Sequence, residues 1–167
     1  MNFDRMAAQL ILHEGLKLKT YLDTEHNWTM GVGYNITGRG LEFFEQTIGR
    51  KLKGPVEHIR ITRSEALKVL RADMERIHKV VPLRFPYYDM LSEIRQRVVL
   101  DLAFNMGFRA LSFVNTRKAI ERNDWTAAVR GLYASKWARQ VGDGEGKKFD
   151  RADRLTKMLL TDTDYVN

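Results

Sequence analysis

The sequence predicts an α+β fold that is mainly α-helical, with a small β-hairpin near the N-terminus. Apolar residues recur at helical spacing up to Glu14, and bulky residues then alternate with small ones from Trp28 to Asn35, as in a strand. Later apolar stripes return to the helical period, the longest running from Leu67 to Val81. The hairpin therefore belongs to a chain that otherwise forms helices.

The first predicted helix ends at Glu14. Phe3, Ala7 and Leu10 share a stripe with this carboxyl group, and Gly15 is the residue type that commonly ends a helix in the left-handed conformation. Burial and the negative end of the helix dipole both favour a protonated carboxyl group. Glu14 is therefore a candidate general acid, which must hold a proton before it can donate one.

The predicted hairpin surrounds a polar turn that begins at Asp23. Its strands are expected at residues 17–22 and 28–35, and the second has a nearly bare face at Gly31 and Gly33 that invites close approach by a ligand. Asp23 lies in a polar turn and is expected to stay ionised. One neutral and one charged carboxyl group beside a groove is the pairing used in glycoside hydrolysis.

The remaining elements follow in order from caps and stripes. A turn at residues 37–40 precedes a short helix at 41–48, and the Thr62 to Glu65 pattern is a capping box that starts the long helix. Pro82 and Pro86 are expected to bracket its end. Leu91 and Ile94 are expected to lead into a buried helix over residues 98–106, which Gly107 ends. Further helices are expected at residues 111–113, 115–122, 125–133, 135–141 and 147–160, with Asn123-Asp124 as a cap before residue 125. A mobile glycine loop is expected at 142–146 and a frayed tail from Asp162.

The motifs around the two carboxyl groups are long, and further ones follow in the second half. They are Glu14-Gly15-Leu16, Lys19-x-Tyr21-x-Asp23-Thr24, Thr29-x-Gly31-x-Gly33, Tyr88-Asp89-x-Leu91, Phe104-x-Met106-Gly107, Phe113-x-Asn115, Trp125-x-x-Ala128-Val129, Ser135-Lys136-Trp137 and Arg151-Ala152-x-Arg154. Together they resemble the bacteriophage lysozymes of the T-even type over most of the chain.

The resemblance implies a single lysozyme domain with a bilobal fold, in which a long helix joins an N-terminal β-hairpin lobe to a C-terminal helical lobe. The expected parts are residues 13–62 for the first lobe, 63–82 for the connecting helix, and 83–167 with 1–12 for the second lobe. Without the resemblance, an ordinary packed helix explains the long apolar stripe equally well.

The resemblance also implies a role for individual residues. Glu14 would donate a proton, Asp23 would be the second carboxylate, and Thr29 would help to hold the attacking water. Phe104 and Thr116 match positions that line the saccharide cleft, although core packing and helix capping are their ordinary uses. Arg151 matches an arginine that pairs with the catalytic acid and supports it structurally.

Three positions depart from the T-even pattern. Tyr34 and Asn35 stand where that type has histidine and leucine, and Gly131 stands where it has a substrate-binding asparagine. Tyr34 and Asn35 remain candidate substrate contacts, and contacts at the cleft rim are expected to have been rewired.

The amino-acid composition restricts which partners and cofactors the chain can have. The chain has no cysteine, which excludes disulfides and thiol redox chemistry, and a formal net charge of +7, which indicates an anionic partner. Basic residues are scattered among acids, which disfavours a nucleic-acid face. No metal or other cofactor is predicted, because the four histidines lack ligand spacing and the 142–146 loop lacks the remaining ligands of a calcium site.

The N-terminal apolar stretch is short and carries Asp4 and Arg5, unlike a signal peptide or membrane anchor. The expectation is a monomer made in the host bacterial cytoplasm, without stable membrane insertion. A holin-type pore or a virion would deliver it to the periplasmic peptidoglycan.

The predicted function is hydrolysis, with inversion, of the β-1,4 bond between N-acetylmuramic acid and N-acetylglucosamine. A lytic transglycosylase needs only one acid, so Asp23 argues against it. A non-catalytic wall-binding or virion structural domain would not need Glu14, Asp23 and Thr29 together. A nucleic-acid binder would show steep salt dependence.

Overall fold

The computed structural model describes residues 1–107, 113–142 and 149–166. It is mostly helical with one three-stranded antiparallel sheet near the N-terminus, which confirms the predicted fold class. The helices are α1 (Phe3–Glu14), α2 (Ile36–Arg39), α3 (Glu42–Ile48), α4 (Arg63–Arg84), α5 (Glu93–Met106), α6 (Val114–Glu121), α7 (Trp125–Tyr133), α8 (Lys136–Val141) and α9 (Arg151–Thr161), with 3₁₀ turns at Val56–His58 and Tyr88–Met90. The strands are β1 (Lys17–Leu22), β2 (Trp28–Gly31) and β3 (Tyr34–Asn35).

The chain divides into two compact units. The sheet unit is Phe3–Arg76, and the helical unit comprises Met1–Asn2 with Ile77–Asn167. The division falls inside α4. The lobe boundaries and the strut role expected from the sequence remain predictions.

The sheet has the order β1-β2-β3, with Tyr21 opposite Thr29 and Met30 opposite Tyr34. The prediction of one continuous strand through residue 35 was wrong. Gly31 and Gly33 have φ angles of +64° and +63°, so the chain turns between β2 and β3. Alternation of large and small residues concealed this turn, because positive φ is open to glycine at little cost.

The segment after β3 is a one-turn helix, α2, rather than the predicted turn. The Asn35 side chain accepts a hydrogen bond from the Gly38 backbone N–H at 2.7 Å, which caps this helix. The core of the sheet unit includes residues of the sheet, of α3 and of the start of α4. Its buried residues are Met30, Tyr34, Ile36, Phe44, Ile59, Ile61, Ala66 and Val69.

Helix α4 begins at the predicted capping box. The Thr62 N–H donates to Glu65 Oε2 at 2.7 Å, and the Glu65 N–H donates to Thr62 Oγ1 at 3.2 Å. The helix ends at Arg84, between Pro82 and Pro86 as predicted and two residues beyond the expected bound of 82. Pro82 lies in the last turn, where it removes its own donor, yet the Phe85 N–H still reaches the Val81 carbonyl at 2.8 Å.

In the helical unit, α5 is buried from Arg97 to Ala103, as predicted for a central helix. Helix α7 has the predicted bounds and is capped by Asp124 as predicted. Helix α6 begins and ends one residue earlier than predicted, and α8 begins one residue later. Residues 111–112 and 143–146, where a short helix and a loop were expected, lie outside the described residues. Helix α9 begins at Arg151, where Asp150 and Asp153 form a capping box, and residues 149 and 150 before it are not helical. Residues 147–148, where the helix was also expected, lie outside the described residues.

The chain after α9 is anchored, contrary to the predicted frayed tail. The Ser92 hydroxyl donates to the Asp162 carboxylate, and Asp164 Oδ2 lies 2.8 Å from Arg97 Nη2. Val166 is buried. These partners are about 70 residues away in sequence, so local composition could not indicate them.

Candidate active site

Glu14 is the last residue of α1, and its side chain is half-buried. The backbone of Gly33 comes so close that a Cβ atom there would lie 2.9 Å from Glu14 Oε2. A Cβ atom at position 33 would therefore force the Glu14 carboxyl group to shift. The close approach expected at the bare glycine face is therefore made by the candidate acid itself.

Asp23 begins the turn between β1 and β2, where backbone groups surround one of its oxygens. Asp23 Oδ1 accepts hydrogen bonds from the N–H groups of Glu25 at 2.9 Å and Asn27 at 2.8 Å. The Asp23 N–H in turn donates to the Asn27 carbonyl at 3.0 Å. The sequence of polar residues from 23 to 27 thus forms a closed turn around the carboxylate.

These bonds determine the charge state of Asp23. Burial would raise the pKa of Asp23, but the hydrogen bonds from Asn27 and Glu25 outweigh it, so the pKa lies below its ordinary value. Asp23 is ionised at neutral pH.

Thr29 directs its hydroxyl group toward the other oxygen of Asp23. The residue is 4% exposed, and its Oγ1 lies 3.4 Å from Asp23 Oδ2 and 3.2 Å from the Asn27 carbonyl oxygen. One hydroxyl hydrogen can serve only one of these acceptors at a time. Oδ2 therefore keeps more capacity to accept a further hydrogen bond than Oδ1.

Tyr21 was quoted in the sequence motif but missed as a site residue. It lies opposite Thr29 in the sheet and is half-buried. Burial raises the pKa of Tyr21, and the negative charges of Glu14 and Asp23 raise it further, so the phenol stands in the field of both carboxylates. Its position near the end of β1, two residues before the Asp23 turn, was the available signal.

Tyr34 and Asn35 are both engaged within the sheet unit. Tyr34 is 2% exposed, its hydroxyl donates to the Gly40 carbonyl at 3.1 Å, and the Arg39 guanidinium lies 4.2 Å from its ring centroid. Asn35 caps α2. Their saccharide contacts remain predictions, and Tyr34 would need a rearrangement to make one.

Phe104, Thr116 and Arg151 lie in the helical unit. Phe104 is half-buried and Thr116 is 5% exposed. Arg151 donates to Asp101 Oδ1 through Nε at 3.0 Å and Nη2 at 2.7 Å. Its predicted pairing with Glu14 and the two predicted cleft contacts are not tested by these bonds.

Gly131 on α7 has a packing reason. A Cβ atom there would lie 2.5 Å from Thr116 Oγ1, so any larger side chain would require the Thr116 hydroxyl group to move. The departure from the T-even pattern at this position therefore accompanies close helix packing.

The site offers no evident metal centre. Within residues 1–107, 113–142 and 149–166, no three His, Cys, Asp or Glu side chains are grouped closely enough to hold a metal ion. In the same ranges no helix has the length and hydropathy needed to cross a membrane.

Comparison with known proteins places the sequence in a family. The family model for phage lysozyme matches residues 12–153, a range that contains Glu14, Asp23 and Thr29. The chain belongs to the phage lysozyme family. Membership in the phage lysozyme family supports a muramidase-like peptidoglycan hydrolase.

Individual phage lysozyme relatives are distant in sequence. The chain is 29% identical over 160 residues to probable T4-type lysozyme 1 of Dictyostelium discoideum, covering 90% of each chain. It is 30% identical over 139 residues to probable T4-type lysozyme 2 of that organism, covering 77% of this chain and 81% of the relative. It is also 30% identical over 167 residues to the pre-baseplate central spike protein Gp5 of Enterobacteria phage T4, covering 93% of this chain but 28% of that protein.

Proposed function

We propose that the chain hydrolyses the β-1,4 bond between N-acetylmuramic acid and N-acetylglucosamine in peptidoglycan. The observation that carries the proposal is the contrast between Glu14, at a helix end against Gly33, and Asp23, held as an anion by backbone N–H groups. Glycoside hydrolysis uses two carboxyl groups, one as proton donor and the other as an anionic base or nucleophile. The family membership and the T4-type lysozymes among the relatives support the same reaction.

The proposed reaction is a single displacement. Glu14 gives its proton to the glycosidic oxygen as the bond from that oxygen to C1 breaks, so the leaving sugar departs as an alcohol. A water molecule attacks C1 from the opposite face. Its proton passes to Asp23 Oδ2, whose charge also stabilises the oxocarbenium-like transition state. Thr29 orients the water through its hydroxyl group, beside Oδ2.

This assignment makes the reaction an inverting one. Inverting enzymes separate their carboxyl groups by about 6.5–9.5 Å to admit a water, whereas retaining enzymes place them about 5 Å apart. Proton spectra recorded in the first turnovers should show the α-anomer at the new reducing end. A β-anomer appearing first would mean a covalent intermediate with Asp23 as nucleophile and would overturn the proposed displacement.

The remaining contacts are proposed from the resemblance. Tyr34, Asn35, Phe104 and Thr116 would contact the saccharide, and Arg151 would support Glu14. We place the enzyme, as a monomer, in phage-type lysis or wall penetration. The Gp5 relative is named as a spike protein, which is the reason for proposing wall penetration beside lysis.

The test is incubation with purified peptidoglycan, followed by mass analysis of the sugar ends. Hydrolysis adds one water per cut and gives reducing N-acetylmuramic acid ends. Ends lighter by one water would identify a lytic transglycosylase. Wall binding without any cut would identify a non-catalytic domain and would refute the proposal.

A further inference from the structure

One edge of the sheet unit carries two positive charges at the closest position that a β-bridge allows. Lys19 of β1 lies opposite Arg60 in an isolated antiparallel bridge. Backbone hydrogen bonds donated by Thr20 and Ile61, at 3.2 and 2.9 Å, flank the pair on either side. This pattern is that of a non-hydrogen-bonded pair, in which the Cα atoms are about 4.5 Å apart and the side chains lie closest. We call Lys19 and Arg60 the basic edge pair.

The basic edge pair has no counter-charge among the residues that the structure describes. Both side chains are exposed, and in the part of the chain that the structure describes neither forms an ion pair. Even Glu57, three residues before Arg60, does not pair with it. Like charges directly opposite one another destabilise a sheet. The arrangement therefore costs stability that no carboxylate of the described residues offsets, and it points to an anion supplied from outside.

The position of the pair relates it to the candidate site. Strand β1 begins three residues after Glu14 and ends at the residue before Asp23, so Lys19 lies on the segment that joins the two carboxyl groups. A polymer that binds at Glu14 and Asp23 would therefore run close to this strand. Peptidoglycan carries acidic peptides on its glycan, and their carboxylates are anions of the required kind.

We propose that the basic edge pair binds the carboxylates of the acidic peptides attached to the glycan. The inference rests on the proposed function, because it takes peptidoglycan as the polymer. The Arg60 guanidinium can grip a carboxylate with two parallel N–H groups, and the Lys19 ammonium adds a donor from the opposite side of the bridge. The bound anion would remove the repulsion that the pair suffers without a ligand.

The test compares two charge-matched double variants in a Glu14→Gln background, which keeps the polymer intact during binding. One variant is Lys19→Gln with Arg60→Gln, and the control is Lys68→Gln with Lys79→Gln, two exposed and unpaired lysines of α4. Binding to purified sacculi is measured by sedimentation at low ionic strength. A second set of sacculi has its carboxylates converted to neutral amides, which preserves the glycan and the peptide chains.

We expect the edge-pair variant to bind untreated sacculi about fivefold more weakly than the control, a size set by two exposed ion pairs. On amidated sacculi the two variants should bind equally. The edge-pair variant should also melt at a higher temperature than its parent, since the repulsion is gone. Equal binding to untreated sacculi, or a lower melting temperature, would overturn the inference.

A third set of sacculi, stripped of phosphate-bearing polymers, tests the identity of the anion. A difference between the variants that vanishes on stripping and persists on amidation would replace the carboxylate by a phosphodiester and refute the occupant proposed here. Failure of the proposed function shows separately. It appears as an absence of cleavage by the unsubstituted protein, whereas failure of this inference leaves cleavage in place and removes only the difference in binding.

Discussion

The two carboxyl groups of the candidate site are held in different ways. Glu14 is positioned by packing, with the Gly33 backbone against its carboxyl group. Asp23 is positioned by hydrogen bonds, two from backbone N–H groups and one from Thr29. Added atoms at position 33 should displace Glu14, because packing holds it in place. Asp23 should instead respond to the loss of its charge or of its hydrogen bonds. The comparison therefore predicts that the two halves of the site respond to different substitutions.

The largest effect should follow from Glu14→Gln. The amide keeps the shape of the side chain but cannot donate a proton to the leaving oxygen, so cleavage of peptidoglycan should fall by about 10³-fold. Release of soluble sugar fragments measures it. Wall binding and the melting temperature should stay as they are. A variant that still clears cell walls would remove Glu14 from the role of acid.

The packing of Glu14 is tested by Gly33→Ala, with Gly49→Ala as the matched control. Both glycines have positive φ, so each alanine should cost about 1 kcal/mol of folding stability. Only at position 33 does the new Cβ meet the Glu14 side chain, at 2.9 Å from Oε2, whereas at position 49 nothing lies within 4 Å. Activity should fall about 10²-fold for Gly33→Ala alone, because a displaced acid is misaligned. Equal activity of the two variants would show that Glu14 does not depend on this contact.

The same contrast explains what the sequence could and could not predict. The helical stripe ending at Glu14 and the polar turn at Asp23 are local patterns, and both elements were predicted correctly. The turn at Gly31 and Gly33 was missed, because a glycine in a strand and a glycine at positive φ look alike in sequence. The contact of Gly33 with Glu14 joins residues 19 positions apart, so it could be recognised only in the folded structure.

The helical unit gives a second example. The cap of α7 was visible in Asp124, because a helix cap depends on residues a few positions apart. The ion pair of Asp164 with Arg97 joins distant parts of the chain, and a polar tail looks frayed without it. Local signals thus predicted most elements, while contacts over long separations were beyond them.

The hydrogen-bonded half of the site is tested next by Thr29→Val, which removes the hydroxyl group and nearly preserves the volume. Cleavage should slow about tenfold, the value of roughly one hydrogen bond. Thr47→Val is the control, because the Thr47 hydroxyl donates to the Phe43 carbonyl and touches no carboxylate. If both variants cleave at the original rate, Thr29 does not orient the water, and Asp23 acts without it.

The smallest expected effect concerns stability and pH. The pKa of Asp23 lies below its ordinary value in the folded chain, despite burial, owing to the hydrogen bonds from Asn27 and Glu25. A carboxylate of this kind stabilises the fold above its unfolded pKa of about 3.9, and that contribution disappears as the pH falls through the folded value. Asn at position 23 can still accept both backbone N–H groups but cannot titrate. The free energy of unfolding of Asp23→Asn should therefore decline less steeply below about pH 4, by under about 1 kcal/mol because the group is partly exposed to solvent.

Denaturant titrations at pH 7 and pH 3 measure this difference, and Glu65→Gln supplies a positive control. Hydrogen bonds from Arg50 and from Thr62 lower the pKa of Glu65 to about 2, so its removal should flatten the same acid limb more strongly. A decline for Asp23→Asn that runs parallel to that of the unsubstituted chain, while the Glu65→Gln decline is flattened, would show that the turn does not stabilise the Asp23 anion. In that case Asp23 would owe its charge to solvent alone, and the division between a packed acid and a hydrogen-bonded base would fail at its second half.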